Sequence, residues 1–450
     1  MTDSKPEKKP SENEARLLRV AAKLKKIRER KDLKLKPTPH LKTTFTDFDG
    51  SERELKIRYY QVQGILHLIF MKRFILGDDT GLGKTLQSIA ALCYIWEKDP
   101  SRKAIVLTTK SATPQWAKEF GKFTKGVRVI TAAGTRAQRE KAYAAWRRSD
   151  KPTVMIMGYR SAVNDIRKLQ DDEGYVLITD EATAYKNQKT QIHQVVGWMG
   201  QQADRVWGLT ATLIKNHLME GHGIYSVVVP GLFGTANNFM QYYCIVERMM
   251  IGRGRKVNRV VGYFPDKVVE FRERIAPYYL GRPKHDVASE LPILIRKVVD
   301  VGCSKQQASK YREALTGFLT VGETRTSGDA EEKEVTKLTA ISYCQQIVNH
   351  PSLIECGGGS SKMDALIEML TTGDLADDKV IVFSRFKKMV DILMPALEKA
   401  KLHPVRVTGD ESGDQRQANQ DTSQDPNSNT RVICLRQRAG RRSTSRRPRL

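Results

Sequence analysis

The stretch Phe74-Ile75-Leu76-Gly77-Asp78-Asp79-Thr80-Gly81-Leu82-Gly83-Lys84-Thr85 constrains this chain more than any other. An apolar run that reads as a short buried strand enters a loop with glycines at 81 and 83, and Leu86 to Trp96 then reads as a helix. A phosphate-binding loop needs that order. Glycines let backbone N–H groups curl round an anion, and the helix N-terminus adds partial positive charge. Lys84 reaches the β- and γ-phosphates, and Thr85 can hold Mg2+. The strict pattern asks for glycine five positions before Gly83, where this chain has Asp78, so an ordinary Gly-rich turn stays open on this stretch alone.

A length of 450 residues suggests two to three domains with ample chain for real cores. The formal net charge is +25 at pH 7. That excess points to a polyanion, since each neutralised phosphate releases counterions; a merely soluble basic protein is the plainer alternative. No apolar run approaches the roughly 18 residues that span a bilayer, and the polar N-terminus does not read as a secretory signal. The six cysteines (93, 244, 303, 344, 356, 434) include no C-x-x-C pair, and the eight histidines show no ligand spacing. Reduced thiols in a cytosolic protein without a structural metal are therefore expected.

Residues 1 to about 40 are rich in Lys and Glu, with Leu17, Leu18, Ala21, Leu24 and Ile27 at helical spacing among basic residues. A solvated arm is the expected reading, with a basic amphipathic helix that meets nucleic acid as the alternative. From about 50 to 235, apolar β-branched runs at Ala104–Thr108, Thr153–Met157, Tyr175–Thr179 and Arg205–Leu209 join Phe74–Leu76. Helical segments such as Gln115–Phe123 and Thr135–Arg148 lie between them. This alternation predicts α/β architecture, a parallel sheet covered on both faces, with ligands at the carboxyl ends of its strands.

Asp180-Glu181-Ala182-Thr183 follows one such strand directly. Adjacent acids are costly there unless they face water or a cation. Asp180 suits a water-mediated hold on Mg2+, and Glu181 suits polarising an attacking water. Gly208-Leu209-Thr210-Ala211-Thr212-Leu213-Ile214-Lys215-Asn216 follows another strand; its hydroxyls can relay hydrogen bonds from a nucleotide site, or form a plain Thr-rich turn.

The three motifs in this order resemble superfamily 2 helicases, in detail the Snf-type branch of DNA translocases. There the phosphate loop reads D-E-M-G-L-G-K-T, close to Asp78–Thr85, which accounts for the aspartate at 78. Ile57-Arg58-Tyr59-Tyr60-Gln61-Val62-Gln63-Gly64 is similar to L-R-P-Y-Q-x-x-G, whose Gln reads adenine. Lys110 to Glu119 resembles P-x-S-L-x-x-Q-W-x-x-E, a segment near the DNA path. Asp180 to Thr183 with Lys186-Asn187 resembles the DEAH-like box D-E-A/G-x-x-x-K-N, and Gly208 to Asn216 resembles G-L-T-A/G-T-P-x-x-N. Tyr59, Thr109 and Leu213 stand where the family has proline, which implies altered local rigidity and no lost chemistry. The stretch 236–345, with its basic run Arg248–Arg259, looks like the family's helical insertion. Pro277 to Val287 resembles the linker L-R-R-x-K-x-D-V, whose charges either contact DNA backbone or are simply solvated. Asn349-His350-Pro351, Lys362 to Leu366, Lys379 to Phe386, Arg416-Gln417 and Gln424 to Asn427 resemble the second lobe, and Val432–Leu435 reads as its next strand.

The resemblance implies two RecA-like parallel-sheet lobes, the second incomplete, with a helical insertion between them. The expected segments are a basic arm (1–45), an ATP-binding lobe (46–235), the insertion and linker (236–345), the second lobe (346–435) and an Arg-rich tail (436–450). That tail carries seven arginines from Arg436 to the end and no periodic apolar pattern, so a frameshift or truncation after Leu435 is expected. The expected activity is ATP hydrolysis coupled to movement on duplex DNA, with ATP and Mg2+ as cofactors. The site is Gln61, Asp78, Gly81, Leu82, Gly83, Lys84 and Thr85 around the nucleotide; Lys84, Asp180 and Glu181 in catalysis; Thr85 and Asp180 on Mg2+; and Thr210 and Thr212 in coupling. The alternative is an ATP- and DNA-binding protein with little hydrolysis, lacking the second-lobe arginine motif. A P-loop kinase or GTPase gains nothing from Gln61 or from Thr210 to Thr212. No membrane partner is expected. A cytoplasmic location, in a bacterium or viral host, is expected, with a nuclear one left open.

Overall fold

The computed structural model describes residues 12–47, 50–251, 255–287, 295–316, 318–321, 331–334 and 337–436. The Arg-rich tail beyond Arg436 lies outside them. Two units divide the chain near residue 292.

In the first unit, β1 (Thr44–Thr46) and β2 (Glu52–Glu54) form a small antiparallel pair. The main strands follow as β3 (Arg73–Leu76), β4 (Lys103–Thr108), β5 (Arg128–Ala132), β6 (Thr153–Gly158), β7 (Val176–Asp180) and β8 (Arg205–Leu209). After β9 (Cys244–Ile251) and β10 (Arg255–Tyr263), which pair antiparallel, the short β11 (Tyr279–Leu280) closes the set. A seven-stranded sheet runs in the order β11-β3-β8-β7-β4-β6-β5, and every neighbouring pair in it is parallel.

A parallel sheet buried on both faces needs apolar side chains at consecutive positions, because alternate residues point to opposite faces. β3 and β7 have that composition. Ile75 and Leu177 enter one core cluster with Tyr143, Trp146 and Tyr175, whereas Phe74, Leu76, Val176 and Ile178 enter the other with Trp96, Trp116 and Phe120. The predicted α/β class is therefore what the chain adopts. β5 had no counterpart in the sequence reading. It is a partly exposed edge strand, and its Val-Ile-Thr run is short.

The N-terminal segment departs from the solvated arm. Glu12–Arg28 is a helix whose Leu24 is buried, with Val20 and Ile27 packed against the same core cluster. Its C-terminal carbonyls lack partners within the helix, and Gln63 supplies one by donating Nε2 to Arg28 O (3.0 Å) and Arg30 O (2.9 Å). The apolar stripe is thus a docking face on helix Tyr59–Phe70. The basic run Arg248–Arg259 also differs. Its described residues lie on the antiparallel pair β9 and β10, among helices Leu218–Val228, Ala236–Tyr243 and Pro265–Ile275, where β-branched and Met residues such as Val246, Met249 and Val260 suit a strand.

His67 joins this docking. Arg28 Nε donates to its Nε2 (3.2 Å), so Nδ1 carries the proton and donates to Gln63 O (2.7 Å). Burial, assisted by the Arg28 and Arg282 cations, pushes the imidazole from the ordinary 6.5 down to about 3. The folded state then binds fewer protons than the unfolded chain between those values. The His67 contribution to stability is full above about pH 6.5 and is lost as pH falls toward 3, by at most about 1.4 kcal/mol per unit. Urea midpoints measured from pH 7 to 4 should therefore fall less steeply in His67→Gln than in the parent, and equal slopes would count against the assignment.

In the second unit, β12 (Phe318–Val321) and β13 (Glu331–Glu334) are an antiparallel pair. β14 (Val380–Ser384), β15 (Val405–Val407) and β16 (Val432–Arg436) form a parallel sheet in the order β14-β16-β15. Val432 and Cys434 are buried against Leu370, Val390 and Leu393, with Val380 and Val382 packed at the margin. No helix among the described residues is long and apolar enough to cross a membrane.

Candidate nucleotide-binding site

Three of the sequence motifs leave the same end of adjacent strands. Leu209 of β8 stands opposite Leu76 of β3 on one side and Asp180 of β7 on the other, and the Thr210 amide donates to Leu76 O (3.1 Å). The loops after Leu76, Asp180 and Leu209 consequently emerge side by side at the carboxyl edge, where ligands of open parallel sheets sit.

The glycine loop has the expected backbone. Gly81 (φ 82°) and Gly83 (φ 76°) occupy the left-handed region, and Gly83 caps helix Lys84–Lys98. A Cβ at 83 would lie 2.5 Å from the Gln61 amide nitrogen, so the loop wraps Gln61 closely. Gln61 donates to Leu82 O (3.3 Å) and accepts from the Arg58 amide (3.0 Å), which fixes it at the start of its own helix. Lys84 and Thr85 stand in the first helical turn, whose amides have no partner within the helix. Lys84 Nζ donates to Asp78 O (2.7 Å) and Asp79 O (3.2 Å). Burial pulls the Lys84 pKa below its ordinary value, opposed by the carboxylates of Asp78, Glu181, Asp180 and Asp79.

Asp180 is held from several directions. Thr108 Oγ1 and Trp116 Nε1 each donate to its Oδ2 at 2.9 Å, the Glu181 amide donates to Oδ1 (3.1 Å), and the Tyr159 hydroxyl donates to its carbonyl (2.6 Å). Trp116 belongs to the stretch compared above with a DNA-path segment; here its indole positions the acid. Glu181 adopts φ 53°, ψ 59°, a left-handed conformation costing a non-glycine residue on the order of 1 kcal/mol. Among the described residues its carboxylate takes no hydrogen bond.

The Thr-rich turn behaves more locally. Thr210 is buried, its Oγ1 donates to Thr212 O (3.0 Å) and accepts from the Thr212 amide (3.1 Å). The link between this turn and the acidic motif runs instead through Glu220, which the sequence reading missed. Its carboxylate pairs with Lys186 and accepts from the amides of Lys215 (2.8 Å) and Asn216 (3.2 Å). Burial would raise the Glu220 pKa, but those donors and the Lys186 ammonium outweigh it and hold the group below the usual carboxylate value. Gly223 lets this helix approach: a Cβ there would lie 2.0 Å from Lys186 O.

Two sequence expectations need correction here. The Asp78 side chain is fully buried, so its part at the loop is to shape the backbone. It is bound by Arg282, whose Nε and Nη2 donate to Oδ1 (2.8 Å) and Oδ2 (2.5 Å). Arg282 is therefore neither a phosphate-backbone contact nor a solvated charge. No sequence signal joined two residues 204 positions apart.

The donor set suits a nucleoside triphosphate with a hard divalent cation: loop amides and a lysine for phosphate oxygens, and hydroxyl and carboxylate oxygens for the metal. The SNF2-related domain profile matches residues 60–353. The mouse chromodomain-helicase-DNA-binding protein 1-like is 27% identical over 384 residues, 80% of this chain and 40% of that protein. The Saccharomyces cerevisiae ISWI chromatin-remodeling complex ATPase ISW2 is 26% identical over 406 residues, 86% of this chain and 35% of that protein. The chain thus spans two fifths or less of the length of these curated relatives. Among solved structures, the Sulfolobus solfataricus SWI2/SNF2 ATPase core in complex with dsDNA is 23% identical, with a TM-score of 0.47, over 90% of this chain and 80% of that one.

Proposed function

We propose that this chain, which belongs to the SNF2-related domain family of superfamily 2 ATPases, couples ATP hydrolysis to movement along duplex DNA. The observation that carries this reading is the alignment of β3, β7 and β8, which brings Lys84, Asp180 and Thr210 to one sheet edge.

In this reading Gln61 reads the adenine, and the amides of Gly81, Leu82, Gly83 and Lys84 take the phosphate oxygens. Lys84 exchanges the carbonyls of Asp78 and Asp79 for the β- and γ-phosphates. Thr85 and Asp180 hold Mg2+, which when bound neutralises charge developing on the transferred phosphoryl group. Trp116 and Thr108 keep Asp180 oriented, and Glu181, whose carboxylate takes no hydrogen bond among the described residues, orients the attacking water. The Glu220 hub, beside the turn that Thr210 and Thr212 form, transmits changes at the acids to the rest of the unit. The +25 charge supports a polyanion partner, and phosphate contacts suffice to track a duplex without reading its sequence.

Displacement of a third strand from a triplex tests movement on a duplex. The full chain should displace it with ATP and leave a plain forked duplex unopened. Phosphate release stimulated by DNA without any displacement would contradict translocation.

A further inference from the structure

We infer that Arg282 is a positioning residue for the phosphate loop, fixing the Asp78–Asp79 backbone on which Lys84 rests and tying it to the segment that leads into the second unit. This deepens the ATPase reading above and rests on it.

The segment 279–284 forms a ladder along the loop. β11 pairs Tyr279 with Ile75 and Leu280 with Leu76. The pairing continues past the strand, with the Gly77 amide donating to Leu280 O (2.6 Å) and the Asp79 amide to Arg282 O (3.0 Å). The Lys284 amide then donates to Asp79 Oδ2 (3.1 Å). Gly77 is required under this ladder, since a Cβ there would lie 2.3 Å from the Tyr279 ring.

The guanidinium closes the arrangement. Beyond its two-pronged bond to Asp78, Nη1 donates to Tyr60 O (2.5 Å) and Gln63 Oε1 (3.1 Å), and Nη2 reaches Gln87 Oε1 (3.3 Å). Gln87 in turn donates to Asp78 Oδ2 (3.1 Å), and the Arg282 cation lies 5.6 Å from the Tyr60 ring centre. One side chain therefore joins the helix that carries Gln61, the glycine loop and the helix that starts at Lys84. Only a planar fork with several fixed donors meets this geometry, which a lysine does not supply. The loop has Asp where the strict pattern has Gly at 78, and that aspartate is the hook. The two units divide near residue 292, shortly after Arg282 in the chain. The same short segment thus shapes the phosphate loop and leads out of the first unit.

The test compares the full-length parent with Arg282→Ala, Arg282→Lys and the charge-neutral pair Asp78→Asn with Arg282→Gln. Each is measured for thermal midpoint, affinity for a fluorescent ATP analogue, and KM and kcat of DNA-stimulated phosphate release. The neutral pair leaves no buried charge unpaired, so it keeps the experiment valid where Arg282→Ala unfolds. The expected result is a nucleotide affinity weaker, and a KM higher, on the order of tenfold in the neutral pair and in Arg282→Lys, with a parent-like thermal midpoint in the neutral pair. Parent-like affinity and KM in the neutral pair would overturn the proposal and leave Arg282 a residue of fold stability alone. A parent that binds the analogue but releases no phosphate would defeat the ATPase reading, while the affinity comparison still decides the role of Arg282. A parent that binds no nucleotide overturns both.

Discussion

Replacing Lys84 with alanine is expected to lower DNA-stimulated phosphate release by about 10²–10³-fold or more, the scale of losing one preorganised donor to developing charge. The ammonium is half-buried, belongs to the first residue of a helix and rests on two carbonyls of the loop itself. Moving it a short distance to a phosphate oxygen exchanges neutral acceptors for charged ones, which strengthens the bonds it makes. Alanine removes a half-buried charge and leaves two carbonyls, so the thermal midpoint should shift by only a few degrees. A large loss of turnover with a small loss of stability is the signature expected of a ligand-binding lysine. Parent-like phosphate release in Lys84→Ala, or its collapse only through unfolding, would remove Lys84 from the site.

Glu181→Gln should separate binding from chemistry. The substitution keeps shape and hydrogen-bonding reach while removing the negative charge that polarises water, and loss of such a group costs about 10²–10⁴-fold in rate. Glutamine accepts the left-handed backbone at 181 no worse than glutamate, so the fold should be unaffected. Nucleotide affinity should stay within about threefold of the parent, because Lys84 and the loop amides are untouched. Equilibrium binding of a fluorescent ATP analogue and single-turnover phosphate release read the two quantities independently. An unchanged single-turnover rate would exclude Glu181 as the water-orienting group. Equal loss of binding and of rate would make it a binding residue.

Much of the first unit was legible in the sequence for a physical reason. Strands buried on both faces are continuous apolar runs, so Ala104 to Leu107 and Val154 to Met157 stand out, and each motif follows such a run. The glycines at 81 and 83 were equally plain, because the left-handed backbone they adopt is cheap only for that residue. What escaped was everything made by tertiary pairing. β11 has two residues and exists because β3 offers it an edge. Arg282, Trp116 and Glu220 each looked like an ordinary surface or family residue until the fold brought them to Asp78, Asp180 and Lys186. The N-terminal stripe around Leu24 was visible, but its partner on helix Tyr59–Phe70 was not, since one amphipathic helix does not specify what covers it. Asp78 illustrates the same limit. The family resemblance accounted for its presence in the loop, and only the structure showed that its carboxylate points inward to a guanidinium.

The most direct test of the account is phosphate release from the full 450-residue chain, titrated separately with duplex DNA, single-stranded DNA and RNA in the presence of ATP and Mg2+. The account predicts slow basal turnover raised at least about tenfold by duplex DNA, with weaker responses to the other two, because an arrangement built for coupling should reach its active geometry only on its track. ATP binding with no phosphate release under any of the three nucleic acids would contradict it and identify the chain as a nucleotide- and DNA-binding protein without turnover.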